Sequence, residues 1–163
     1  MIKNKINKNS YSLKKILIND YISFLAWLFP VIIFLMSLFI EIFGFLPDLK
    51  RGRPPLGTEA IPFMIQFGLI ALVIGIIIII IRVIIIKRYF ENGIEVNGEV
   101  TQIWRFRDRG RIYFTFWYKD LIGDNSSIVH FNRMTKTFLP HKQIRVLMKP
   151  NDPLKAIIKD LFQ

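Results

Sequence analysis

Two long, uncharged apolar runs limit what this chain can fold into more than any other feature. Tyr21 to Ile40 reads YISFLAWLFPVIIFLMSLFI, twenty residues without a charge. As a helix rising 1.5 Å per residue it would span about 30 Å, the hydrocarbon thickness of a bilayer. Ile61 to Ile81 reads IPFMIQFGLIALVIGIIIIII, again uncharged, and continues through Arg82 to Ile86. A chain of 163 residues has too little left over to wrap two such helices in an outer layer, so a transmembrane hairpin is predicted over a soluble core. The first run is also too long for the apolar part of a cleaved signal peptide, and no small-x-small cleavage site follows it.

Single residues inside these runs fit the same expectation. Pro30 is tolerable as a kink in a membrane helix, and Pro62 sits where a first helical turn needs no donor. Arg82 stands one turn ahead of Lys87 and Arg88, so its long stem can carry the guanidinium up to the interface. These three are the expected interface anchors. Gly68 and Gly75, seven residues apart on one helical face, would let the first helix approach closely.

Lysine and arginine near the span ends set the expected orientation. Residues 1–20, a basic tail, carry Lys3, Lys5, Lys8, Lys14 and Lys15. In the connection 41–60, Lys50, Arg51 and Arg53 are balanced by Glu41, Asp48 and Glu59, while Lys87 and Arg88 directly follow the second span. Both termini are therefore expected on the cytoplasmic side of the membrane. The hairpin occupies 21–86, with spans at about 21–40 and 61–86 and a short outer loop between them.

From residue 87 onward the apolar pattern changes to period two, and the segment 87–163 carries fourteen Lys/Arg against eight Asp/Glu. Ile94 to Phe106 places Ile94, Val96, Gly98 and Val100 on one face, with Asn97-Gly98 expected as a bulge or bend. A turn at Arg107 to Arg111 precedes an aromatic, β-branched strand from Ile112 to Lys119. Asp120 to Asn125 has turn chemistry, Ser126 to Met134 reads as a third strand, and Ile144 to Met148 as a fourth. Asn151 to Pro153 turns the chain into a last short segment, Leu154 to Ile158. The predicted fold class is membrane α plus β: a two-helix hairpin followed by a small cytoplasmic all-β domain, a five-stranded meander or partly open barrel.

Three stretches carry a family resemblance. They are F-x-x-G-I-x-V-x-G-x-V from Phe90 to Val100, Y-F-T-F-W-Y from Tyr113 to Tyr118, and I-R-V-L-M-K-P-N-D-P-x-K-A from Ile144 to Ala156. Following two spans, this order resembles the bacterial membrane proteins grouped as domain of unknown function 3592, over roughly Ile61 to Ile158. The chain departs from their pattern near His141, where they have glycine, and at Lys149, where they have tyrosine or aspartate. The resemblance implies the architecture and brings no catalytic residue with it.

Composition narrows the function classes. The absence of cysteine excludes disulfides and thiolate chemistry, and two histidines are too few for a self-contained histidine metal site. The stretch RGRIYFTFWY, Arg109 to Tyr118, partly matches an RNA-recognition strand, but Arg111, Ile112 and Phe114 stand at the wrong positions and two packing helices are missing. Nucleic acid is therefore set aside as a partner. Ser126, Ser127, His130, Asp120 and Asp124 lie close in sequence, yet nothing places a serine on a nucleophile elbow, and no catalytic residue or cofactor is expected.

What remains is basic. Arg105, Arg107, Arg109 and Arg111 recur at every second position across a predicted hairpin tip, beside a formal net charge of +11 for the whole chain. Each basic residue held close to an anionic leaflet contributes on the order of 1 kcal/mol. The expected function is non-enzymatic, with the β-domain presented at the membrane surface to anionic head groups or a protein partner. The alternative is an accessory subunit of a membrane enzyme or transporter, with its functional contacts made by the helices.

Overall fold

Residues 10–46, 55–119, 121–150 and 152–163 are described by the computed structural model. The lysines at 3, 5 and 8, the residues Asp48, Lys50, Arg51 and Arg53 of the expected outer loop, and Asp120 and Asn151, expected in turns, lie outside them. In chain order the elements are α1 (Leu13–Asn19), α2 (Tyr21–Phe43), β1 (Phe45–Leu46), β2 (Leu56–Gly57), α3 (Ile61–Asn92), β3 (Ile94–Phe106), β4 (Arg109–Tyr118), β5 (Leu121–His130), β6 (Gln143–Lys149) and β7 (Asp152–Ile158). Packing divides them into two units, Met1–Phe24 with Ile81–Gln163, and Leu25–Ile80.

The unit Leu25–Ile80 is a helical hairpin. Tyr21–Phe43 and Thr58–Asn92 are both long and apolar enough to cross a membrane, with hydropathies of 2.4 and 3.5. Their apolar side chains are mostly exposed, as at Leu35, Phe63 and Val73, which is unlike the core helices of a soluble protein. Where the helices meet, Phe29 and Phe67 pack edge to face with centroids 6.2 Å apart. Gly75 is closer still. A Cβ built on it would lie 2.2 Å from the Ala26 carbonyl oxygen, so only glycine fits this approach. The two-residue strands β1 and β2 pair antiparallel beyond the helices.

In the other unit, β3 to β7 form one five-stranded sheet in the order β5-β4-β3-β6-β7, every hydrogen-bonded pair being antiparallel. Five alternating strands bring the two edge strands round parallel to each other. Asn125 of β5 donates to the Leu154 carbonyl of β7 at 2.8 Å across that seam, and the sheet is nearly a closed barrel. Its interior is filled by Val100, Ile112, Phe114, Phe116, Val129, Ile144, Val146 and Ile158, all essentially buried. Alternation supplies this core: along β4 the even positions from Gly110 to Phe116 point inward and the odd ones are exposed or half-buried.

Three local expectations need correction. The first concerns the turn before the aromatic strand, which is only Arg107-Asp108, so Arg109 to Arg111 already belong to β4. Likewise, Leu121 to Asn125 is strand rather than turn, each residue pairing with β4, and this strand ends at His130 rather than Met134. Third, the irregularity in β3 falls between Val100 and Gln102, not at Asn97-Gly98. Gly98 is required by packing instead, since a Cβ there would meet the Thr115 carbonyl at 2.8 Å and Val146 at 2.9 Å.

Helical pieces complete the same core. Ile16 of α1, and Ile86 and Phe90 of the last turns of α3, are almost fully buried against the strands. At seven residues α1 is too short to persist alone, and its buried face and hydrogen bonds hold it. Asn19 donates to Leu161 O at 2.7 Å, and Ile18 O accepts from His130 Nδ1 at 3.1 Å and Asn132 Nδ2 at 3.3 Å.

At the start of β7, Lys155 Nζ lies 2.8 Å from an Asp152 oxygen, with Lys155 exposed and Asp152 half-buried. That hydrogen bond holds the Asp152 carboxyl below its usual range and raises the Lys155 ammonium above its own. A lowered carboxylate stabilises the fold above the unfolded value of about 3.9 and loses that contribution as pH falls through the folded one. A raised ammonium acts below about 10.4 and loses its share on the alkaline side. Thermal melts of Asp152→Asn against the parent should therefore show a small deficit, flat from about pH 5 to 9 and closing at acid pH.

Candidate functional site

The β3–β4 hairpin separates the four predicted arginines. Arg107 sits in the two-residue turn with φ 54°, its guanidinium 5.5 Å from the Phe106 ring. Arg105 pairs with Gly110 and lies over Phe131 at 4.4 Å. Only Arg109 and Arg111 share a face, two positions apart on β4, which separates their Cα atoms by roughly 6.6 Å.

Around this pair the sheet and the first residues of α2 form an open groove. Tyr21, Ile22, Trp104, Tyr113 and Ile128 line it together with Arg109, Gly110 and Arg111, enclosing about 410 Å³. Arg109 lies 5.9 Å from the Tyr21 ring and 5.6 Å from that of Trp104; Arg111 is 6.0 Å from Tyr113. Those distances fall within the reach of cation–π attraction. Cross-strand pairing explains the arrangement, with Trp104 of β3 opposite Arg111, and His130 and Ile128 of β5 opposite Arg109 and Arg111. Among the described residues neither arginine has an acidic partner within 4 Å, whereas Arg145 is bound to Asp160 and Lys159 to Glu95.

The expected anchors fare differently from one another. Lys87 and Arg88 are exposed, Lys87 lying 3.6 Å from Glu91 one turn on. Arg82 instead makes a two-point contact with Asp20, its Nε 3.1 Å from one carboxylate oxygen and its Nη2 on the other. Asp20 is 2% exposed and also accepts from the Ser23 amide at 3.0 Å and the Ser23 hydroxyl at 2.7 Å. Its backbone closes α1 and its side chain caps α2, so this carboxylate ties three helical segments together.

The serine and histidine candidates are not assembled. Asp124, Ser126 and His130 stand on one face of β5, but four residues of strand separate Ser126 from His130, about 13 Å. His130 is engaged elsewhere: its ring stacks on Phe24 at 3.8 Å and Nδ1 donates to Ile18 O. Phe114 and Phe116, which gave the aromatic stretch its RNA-like look, are buried in the barrel. Among the described residues, no three His, Asp or Glu side chains gather as a metal site. Sequence reasoning missed Tyr21, Trp104 and Tyr113 as partners of the arginines, and Asp20 altogether. The only available signals were an acidic residue placed just before an uncharged run and a tryptophan in register with Phe106.

No protein-family model, curated protein or solved structure matches this chain.

Proposed function

We propose that this chain is a non-enzymatic, two-span protein of the bacterial inner membrane, grouped with domain of unknown function 3592, with both termini cytoplasmic. It acts by binding, and its small β-barrel rests against the inner leaflet through the basic hairpin. The observation carrying this is the placing of Arg109 and Arg111, without acidic partners among the described residues, beside Tyr21 and Ile22, which open the first apolar run. Tyrosine, tryptophan and arginine form the chemistry of a membrane interface, where an aromatic ring sits at headgroup depth and a guanidinium meets phosphate. The protein-partner version lacks a comparable observation.

The test uses the full-length protein in nanodiscs, with Trp27 and Trp117 replaced by Phe so that Trp104 alone fluoresces. Spin-labelled head groups should quench Trp104 more strongly in anionic than in zwitterionic bilayers at low salt. Changing Arg105, Arg107, Arg109 and Arg111 to Gln should abolish the difference, since four charges at about 1 kcal/mol each are removed. Quenching that ignores both lipid charge and the four substitutions sinks the proposal. A reporter fused to the C-terminus must be active in the cytoplasm.

A further inference from the structure

We infer that the groove is a stoichiometric site for one phosphate-ester head group of an anionic phospholipid, clamped between Arg109 and Arg111. This rests on the leaflet-facing function proposed above and makes it specific. A diffuse field would need only net charge and would use the four hairpin arginines alike. The structure instead places Arg109 and Arg111 in one concavity, and directs Arg105 to Phe131 and Arg107 to the turn.

The groove suits such a ligand in size and chemistry. At about 410 Å³ it lies within the roughly 300–1,000 Å³ of small-molecule sites. Guanidinium groups held by aromatic rings lose side-chain freedom before the ligand arrives, and their planar forks match phosphate oxygens in two-point contacts. With no carboxylate within 4 Å of either arginine among the described residues, an incoming anion displaces no ion pair. Ile22 and Ile128 supply an apolar wall, suited to the glycerol and first methylenes of a lipid rather than to a free anion. Tyr21 and Ile22 also begin the first apolar run, which points to the leaflet as the source of the phosphate.

The experiment is native mass spectrometry of the full chain released from nanodiscs of mixed phosphatidylglycerol and phosphatidylcholine. One phosphatidylglycerol should remain per protomer. Arg109→Gln and Arg111→Gln should each lower its occupancy about tenfold or more, as expected for a lost charge-assisted hydrogen bond. Arg109→Lys should lose most of it too, because the two-point fork is gone. Arg105→Gln and Arg107→Gln weaken attraction to the leaflet, but neither side chain lines the groove, so after release from the bilayer retention should stay within about twofold. All four sites are exposed or half-buried, so unchanged thermal midpoints will show that the variants fold. Equal losses at the four arginines would overturn the single site and leave the diffuse leaflet function standing. No preference for phosphatidylglycerol in the parent would overturn both. Glycerol phosphate bound in detergent, with no lipid retained, would overturn the lipid source.

Discussion

Asp20→Ala should lower the thermal midpoint of the full chain in mild detergent by about 8–16 °C. Two losses combine. The Arg82 guanidinium, placed in the run Ile76 to Ile86, is left without its partner, and removing one side of a buried pair costs about 3–5 kcal/mol. Arg82 is 29% exposed, so the lower end of that range applies. The α2 cap disappears as well, at about 1 kcal/mol, leaving the Ser23 amide and hydroxyl without their acceptor. For a chain of this size each kcal/mol moves the midpoint by roughly 2–4 °C. Asp20→Asn keeps a good cap while losing the charge, so it should fall between Ala and the parent. The decisive comparison is Asp20→Asn with Arg82→Gln. A hydrogen-bonded neutral pair should recover part of the combined loss, and strict additivity would show that the pair does not act as a unit. The exposed pair Lys87–Glu91 is the contrast, where Glu91→Gln should change the midpoint by no more than about 2 °C.

That carboxylate also marks where sequence reasoning runs out. Asp20 and Arg82 are 62 residues apart, and no periodicity links a residue ahead of one apolar run to a residue near the end of another. Local pattern was legible where burial is one-sided: Ile94, Val96, Gly98 and Val100 alternate because only one face of β3 meets the core. It failed at the next hairpin for a physical reason. Gly110 reads as a turn glycine, but it is an inward position in β4 where a Cβ would lie 2.8 Å from the Phe131 ring. The real turn is Arg107-Asp108, in which Arg107, a residue with no turn signature, is held at positive φ by the pairing on either side. Helix α1 was hidden differently, since LKKILIN carries two lysines and no long periodic stretch. Its helicity comes from Ile16 in the barrel core and from the side chains that satisfy its last carbonyls. The arginine cluster was visible as a spacing, but which two of the four share a groove depended on that two-residue turn.

Gly75→Leu should be the most damaging substitution in the helical hairpin, and Gly75→Ala should already be destabilising. Glycine to alanine inside a helix ordinarily gains about 0.5–1 kcal/mol from propensity alone. At Gly75 that gain is opposed by a backbone atom, because the new Cβ would stand 2.2 Å from the Ala26 carbonyl oxygen and the helices would have to separate. Overpacking of this kind costs about 1–3 kcal/mol, and more where a carbonyl cannot rotate away. Gly68 is the internal control. It lies seven residues earlier on the same helix, but its Cβ would meet only the Phe34 ring at 3.0 Å and Ile33 at 3.3 Å. A ring can tilt by a few tenths of an ångström, so Gly68→Ala should be close to neutral. Thermal unfolding in detergent, together with energy transfer between labels on α2 and α3, would read both effects: a lowered midpoint and a longer distance for Gly75→Ala and Gly75→Leu, neither for Gly68→Ala. Equal tolerance at the two positions would mean that the close approach at Ala26 does not hold the hairpin. The exposed apolar side chains of α2 and α3 would then have to do so through their surroundings alone.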